Sequence, residues 1–300
     1  MFPAPVVFFV YNRPWHTVRT VESLMRNSLA PESNLHIFSD GPKNQQDAVR
    51  VQEVREYLQD IDGFARVHIT EQTQNLGLAA SIISGVTGII ERFGTAIVLE
   101  DDIVSSPNFL EFMNQALKFY ENNPMIFSIS GYSFPLRIPS RYPWPVYLSP
   151  RCSSWGWGTW KDRWEKVDWL VRDYPEFLND RAAQQAFNRG GEDMTRHLTY
   201  QMEGKIQAWG ARFCYAHFRH HAYCLMPVVS KIRNIGVDGS GTHRENTNRY
   251  DVALDRGAGP IEFPSSLEEN DEIVRSLHAI FSDPVHGYFL GTLKRILRLR

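Results

Sequence analysis

Three hundred residues, 43% apolar and 13% aromatic, suffice for one large core or two smaller ones, which places the chain among ordinary globular proteins. A formal charge of −2, with Lys and Arg spread out until the C-terminus, offers no basic field for nucleic acid. Cys152, Cys214 and Cys224 are an odd set without CxxC spacing, so neither a disulfide framework nor a zinc site is indicated and a reducing compartment is expected.

The first predicted element is a strand over residues 5–10. Val6-Val7-Phe8-Phe9-Val10 is too short and lacks the basic leader of an export signal, and it runs directly into Tyr11-Asn12-Arg13-Pro14. No window approaches the ~20 apolar residues of a membrane span, so a cytoplasmic location is expected. Further strands are predicted over 34–38, 65–70 and 95–99. Between them, 15–27, 45–59 and 79–93 read as helices, with Val18, Val21, Leu24 and Met25, then Ile82, Ile83, Val86, Ile89 and Ile90, at helical spacing. Such alternation is the signature of βαβ units and a largely parallel sheet.

A helix over 108–122 and a strand over 125–130 follow. Residues 135–150 are rich in proline and aromatic residues and read as a link to a less regular region holding Trp155, Trp157, Trp160, Trp164 and Trp169. The i,i+4 spacing of Trp160 and Trp164 suggests packing along one helix, and one of the five tryptophans is expected to touch substrate. From residue 261 the chain reads as an accessory tail. It ends with Leu290, Leu293, Ile296 and Leu297 on one helical face beside Lys294, Arg295, Arg298 and Arg300, a pattern suited to peripheral contact with an anionic membrane or to docking on the protein's own core. The expected division is 1–134, 135–260 and 261–300: a donor-binding half, an acceptor-side half of the same domain, and the tail.

In an open α/β sheet, ligands bind beyond the C-terminal ends of the strands. The residues that follow the predicted strands are Tyr11-Asn12-Arg13, Ser39-Asp40-Gly41, Asn75-Leu76-Gly77 and Glu100-Asp101-Asp102. An apolar strand cannot run on into three carboxylates without surfacing, and Mg²⁺ or Mn²⁺ takes such hard oxygen ligands, often one or two carboxylates plus water and phosphate oxygens. An acidic turn that merely ends a strand is the alternative. Neither GxxxxGK[ST] nor GxGxxG is present, which excludes the corresponding kinase and dehydrogenase sites. An Asp can accept the imide N–H of uracil, an Arg can contact pyrophosphate, and a cation on Asp102 can bridge two phosphates.

With these residues the chain resembles the GT-A fold nucleotide-sugar glycosyltransferases, in particular the N-acetylglucosaminyltransferase I-like group and its bacterial relatives. The likeness rests on Tyr11-Asn12-Arg13-Pro14, Ser39-Asp40-Gly41, Asn75-Leu76-Gly77-Leu78, Val98-Leu99-Glu100-Asp101-Asp102-Ile103, Trp155-Gly156-Trp157-Gly158-Thr159-Trp160 and residues 234–243, in that order. The resemblance implies an α/β, Rossmann-like, mostly parallel sheet flanked by helices, with an appended acceptor-side region. It also implies an enzyme that moves a sugar from a UDP-sugar to a glycan or lipid-linked acceptor. On it, Tyr11, Asn12, Arg13, Asp40, Asn75 and Gly77 line the donor site, Glu100 and Asp101 contact sugar and ribose, and Asp102 is the direct protein ligand of Mn²⁺ or Mg²⁺.

One departure stands out. The family places an Asp before Trp209 as general base, and this chain has Gln207, whose amide takes up no proton at neutral pH. Asp193 and Glu203 are the nearby substitutes, each with a plain surface-helix role as the alternative. His243, after the glycine-rich 238–242, is a candidate metal or diphosphate ligand, or an exposed loop histidine. Competing functions are a nucleotidyltransferase, which would carry a glycine-rich basic loop after the first strand, and a catalytically impaired sugar-nucleotide or glycan-binding protein of the same fold.

Overall fold

A computed structural model describes residues 3–239, 247–257 and 261–282. Strand β1 (Val6–Val10) leads into α1 (Pro14–Met25), β2 (Asn34–Ser39) into α2 (Gln45–Gln59), and β3 (Arg66–Glu71) into α3 (Leu78–Phe93). Then β4 (Thr95–Glu100) ends in the acidic turn, followed by the short β5 (Ile103–Ser105), α4 (Phe109–Phe119) and β6 (Ile126–Ser130). The second half holds β7 (Val146–Ser149), β8 (Trp157–Trp160), α5 (Lys161–Trp164), α6 (Tyr174–Asn179), α7 (Arg181–Phe187), α8 (Met194–Met202), α9 (Trp209–Arg219), β9 (Tyr223–Pro227), β10 (Ile232–Asn234) and α10 (Asp271–Phe281).

Eight strands form one sheet in the order β3-β2-β1-β4-β8-β6-β9-β7. Neighbours from β3 to β4 are parallel, β8 is inserted antiparallel between β4 and β6, β9 runs parallel to β6, and β7 is an antiparallel edge. This is the mostly parallel, helix-flanked α/β sheet expected from the alternation of elements. The all-apolar β1 is central and buried along its whole length, as a strand covered by helices on both faces must be.

Two expectations for the second half are corrected. The region after residue 135, expected to be less regular, contributes β7, β8 and β9 to the same sheet; strands of four or five residues are too short to show a period. Trp160 and Trp164 do not share a helix: Trp160 ends β8 and donates its indole N–H to Leu117 O at 3.0 Å, while Trp164 lies in α5. Trp157, Trp164, Trp209 and Phe213 stack into one aromatic core.

The described part of the tail packs on the body. Phe263 meets Phe112, Phe119 and Tyr120, and Phe281 meets Phe134 and the Arg151 guanidinium. The basic amphipathic segment over 290–300 lies outside the described residues.

Candidate functional site

Strand order reverses at β1. The chain steps outward from β1 to β2 to β3 and then returns to lay β4 on the other side, so the exits of β1 and β4 flank the crevice where such sheets take ligands. Arg13 follows β1, and the turn Glu100-Asp101-Asp102 ends β4, with Phe9 in register with Glu100. Thr20 of α1 donates its hydroxyl to Asp101 O at 2.8 Å and holds the turn from behind.

A third segment closes over this pair. β5 and β10 form an antiparallel ribbon, and Ile235 N donates to Asp102 O at 2.9 Å. The chain after β10 is thereby pressed against the acidic turn so closely that a Cβ on Gly236 would collide with Asp102 Oδ2 and force that carboxylate to move.

The Arg13 guanidinium sits at the centre, its side chain 14% exposed. Nη1 donates to Asp102 Oδ2 at 2.7 Å and lies 3.7 Å from Asp101 Oδ1. Nη2 lies 3.6 Å from Asp238 Oδ1 and donates to His16 Nε2 at 2.9 Å, a ring nitrogen that also stands 3.1 Å from Asp238 Oδ2. Three carboxylates therefore share one guanidinium. The crowding is felt: burial, then the Asp102 and Asp101 charges, push Glu100 well above the usual carboxylate range, and burial with Asp102 pushes Asp101 up against the pull of Arg13.

At the β2 exit, Asp40 accepts four hydrogen bonds. Oδ1 takes Gly41 N at 2.9 Å and Leu76 N at 2.8 Å, while Oδ2 takes Gly77 N at 2.9 Å and Asn75 Nδ2 at 3.0 Å. A carboxylate offers about four lone-pair directions, so Asp40 has none left for a nucleobase. The carboxylate is thus engaged with the backbone and side chain of its neighbouring loops. Asp40, Asn75 and Gly77, the last at φ +78°, form a clamp that shapes the loop before α3.

Tyr11 and Asn12 are also held, by Asp47 in the first turn of α2: Tyr11 Oη donates to Oδ2 at 2.9 Å and Asn12 Nδ2 to Oδ1 at 2.7 Å. Sequence reasoning missed Asp47. The signal was present as an N-cap pattern, because Asn44 Oδ1 accepts from Asp47 N at 2.9 Å and Asp47 falls at the third helical position.

The base candidates separate. Asp193 forms a two-point ion pair with Arg151, Nη1 to Oδ1 at 2.8 Å and Nη2 to Oδ2 at 2.9 Å. Burial alone would raise its pKa, but the Arg151 charge and hydrogen bonds outweigh burial and hold the carboxyl below its usual value. In this structure Asp193 is engaged as the counter-ion of Arg151. Glu203 is exposed at the end of α8 and pairs with Lys205 Nζ at 2.6 Å. Gln207 is exposed and its Oε1 faces Gly77, so the amide borders the donor-side loop. His243 lies outside the described residues.

Among the described residues, no group of three or more His, Cys, Asp and Glu is arranged to hold a metal ion. The donor chemistry at Asp102 nevertheless fits a hard cation that brings its remaining ligands with it as substrate oxygens and water, once Arg13 yields Oδ2. It does not fit an all-protein cage.

No protein-family profile and no curated protein sequence matches the chain. Among solved structures it aligns with a mannosyltransferase, PcManGT from Pyrobaculum calidifontis in complex with GDP-Man and Mn²⁺, at TM-score 0.40 and 12% identity over 74% of this chain and 70% of that chain. It also aligns with TarS of S. aureus at TM-score 0.39 and 10% identity, over 78% of this chain and 37% of that chain. Likeness of this depth assigns no chemistry to the present chain.

Proposed function

We propose that this chain is a glycosyltransferase of GT-A type that takes a UDP-sugar, such as UDP-GlcNAc, and transfers its sugar with inversion to a glycan or lipid-linked acceptor. The observation that carries the reading is the cluster at the switch point, where the carboxylates of Asp101, Asp102 and Asp238 converge on the Arg13 guanidinium. Carboxylates gathered with an arginine at the C-terminal ends of parallel strands suit a diphosphate that arrives with a divalent cation, and Asp102 is the residue that would hold it. When bound, Mn²⁺ or Mg²⁺ would offset negative charge on the departing diphosphate.

The residues of this chain supply the rest. Arg13, freed from Asp102, is placed to bind a phosphate oxygen by a charge-assisted pair. The Asp40 clamp and the Asp47 anchor hold the loops against which the nucleoside lies. Inversion needs an acceptor for the hydroxyl proton, and Asp238 is the carboxylate at the crevice whose side chain, at 44% exposure, an acceptor can reach.

The second reading is a binding protein of the same fold, favoured by Gln207 and by the engagement of Asp193 with Arg151. The test is a melting-shift screen of UDP-, GDP-, CDP- and dTDP-sugars with and without Mn²⁺, followed by UDP release with and without acceptor glycans. A UDP-sugar shift with turnover supports the transferase, a shift without turnover supports the binding protein, and no shift with any donor rejects both.

A further inference from the structure

Three cysteines gave no pairing pattern along the chain, yet the fold brings two of them together. Cys152, in the segment before β8, and Cys214, in the middle of α9, are 62 positions apart in sequence, and their sulfurs stand 2.6 Å from each other. Cys152 N also donates to Cys214 Sγ at 3.3 Å. We propose that Cys152 and Cys214 are a reversible dithiol/disulfide site that takes a peroxide as oxidant and, when closed, staples the segment before β8 to helix α9. The proposal stands apart from the transferase reading.

The two thiols are not equivalent. The hydrogen bond from Cys152, with the Arg151 charge beside it, works against burial and draws the Cys214 thiol down, whereas burial and its bond to Cys214 push Cys152 well up. Cys214 is therefore the group that attacks and Cys152 the one that resolves. Cys224 is fully buried, and burial raises its thiol to about 12, so it stays inert. Cys152 and Cys214 are slightly less buried, at 8% and 9% exposure.

The chemistry balances without a metal. The Cys214 thiolate attacks one oxygen of hydrogen peroxide, the O–O bond breaks, and the sulfur becomes a sulfenic acid as hydroxide leaves and takes a proton to form water. The Cys152 sulfur then attacks that sulfur; the S–O bond breaks, the S–S bond forms, and the second oxygen leaves as water with the Cys152 proton. Two thiols are oxidised by two electrons and one peroxide is reduced to two waters.

Closure joins two segments that are far apart in sequence. The chain leading into α9 carries Gln207, which faces Gly77 of the donor-side loop. The segment before β8 carries Trp155, which packs edge-on against Tyr132 and Tyr250. A staple would fix the segment before β8 against helix α9.

The full chain, purified reduced, is treated with hydrogen peroxide and then unfolded in the presence of an alkylating agent. The expected result is a fall from three alkylated cysteines to one, a mass loss of two hydrogens, a proteolytic fragment linking Cys152 to Cys214, and reversal by dithiothreitol. Closing a loop of this length should also raise the melting temperature by roughly 5 °C. Cys224→Ser should behave as the unaltered chain does, whereas Cys152→Ser should leave a Cys214 sulfenic acid that dimedone traps. Three alkylated cysteines after treatment, a link through Cys224, or a dimedone adduct that persists on Cys214 of the unaltered protein would overturn the proposal.

Discussion

The two halves of the sheet handle buried carboxylates in opposite ways. In the second half, Asp193 meets Arg151 in a two-point pair with His197 Nδ1 at 3.3 Å beside it, and the Phe281 ring covers the guanidinium at 3.7 Å. In the first half, Asp101 and Asp102, joined by Asp238 from the far side of the crevice, share the single guanidinium of Arg13, and Glu100 and Asp101 respond by resisting ionisation. The pair in the second half matches its carboxylate to a buried guanidinium with two hydrogen bonds. The cluster in the first half instead gathers several carboxylates on one arginine at the strand exits, the arrangement on which the proposed function draws.

Substitutions can break this contrast. The largest expected effect is at Asp102→Asn, which keeps the shape of the side chain but removes a charged oxygen: Mn²⁺-dependent UDP affinity should fall at least 10³-fold, about 4 kcal/mol, with little change in melting temperature. Calorimetry with UDP and Mn²⁺ checks it, and unchanged affinity would remove Asp102 from the site. Asp193→Asn should do the reverse. It leaves the Arg151 guanidinium buried beside a neutral amide, costing about 3 kcal/mol of stability in urea unfolding while the folded fraction binds UDP as before. Weakened UDP binding without loss of stability would move Asp193 into the binding machinery. Asp40→Ala falls between the two classes. Three backbone N–H groups and one amide lose their acceptor, which should cost about 2 kcal/mol of stability and speed hydrogen exchange at Leu76 and Gly77. Donor affinity then falls indirectly, through the loosened loop.

The halves also differ in how much of them the sequence disclosed. Helices α1 to α3 and strands β1 to β4 lie within two residues of their predicted limits, because 3.6-residue periodicity and apolar strand runs are local signals and parallel βαβ units keep neighbours close in the chain. The strand exits were legible for the same reason. Their internal bonding was not: nothing local in Ser39-Asp40-Gly41 announces that Leu76 N and Gly77 N, 36 and 37 positions on, will fill the Asp40 carboxylate. In the second half the governing contacts are longer still. Arg151 finds Asp193 across 42 positions and Cys152 finds Cys214 across 62, through aromatic packing that carries no period. Asp238 was visible only as part of a glycine-rich run, since its place beside Arg13 depends on β10 pairing with β5.

Two buried histidines sharpen the contrast at smaller scale. His16 in the first half is depressed by burial and by Arg13 but is buffered by the facing Asp238 and Asp102 charges. His217 in the second half, fully buried in α9, faces no carboxylate. Its Nδ1 meets Phe213 O at 2.7 Å, and a carbonyl only accepts, so Nδ1 carries the proton and Nε2 accepts from Ser128 Oγ at 2.7 Å. Burial lowers its pKa to about 4. The folded state thus refuses a proton that the unfolded chain takes up near pH 6.5, so His217 contributes stability that is complete above that value and is lost as pH falls toward 4. The expected loss is about 1.4 kcal/mol at pH 5.5, growing by about the same amount for the next unit. Urea unfolding of the unaltered chain and of His217→Gln across pH 4.5–7 reads it directly. The variant should be less stable throughout and its pH slope shallower by one proton, and parallel slopes would show that His217 is charged in the fold.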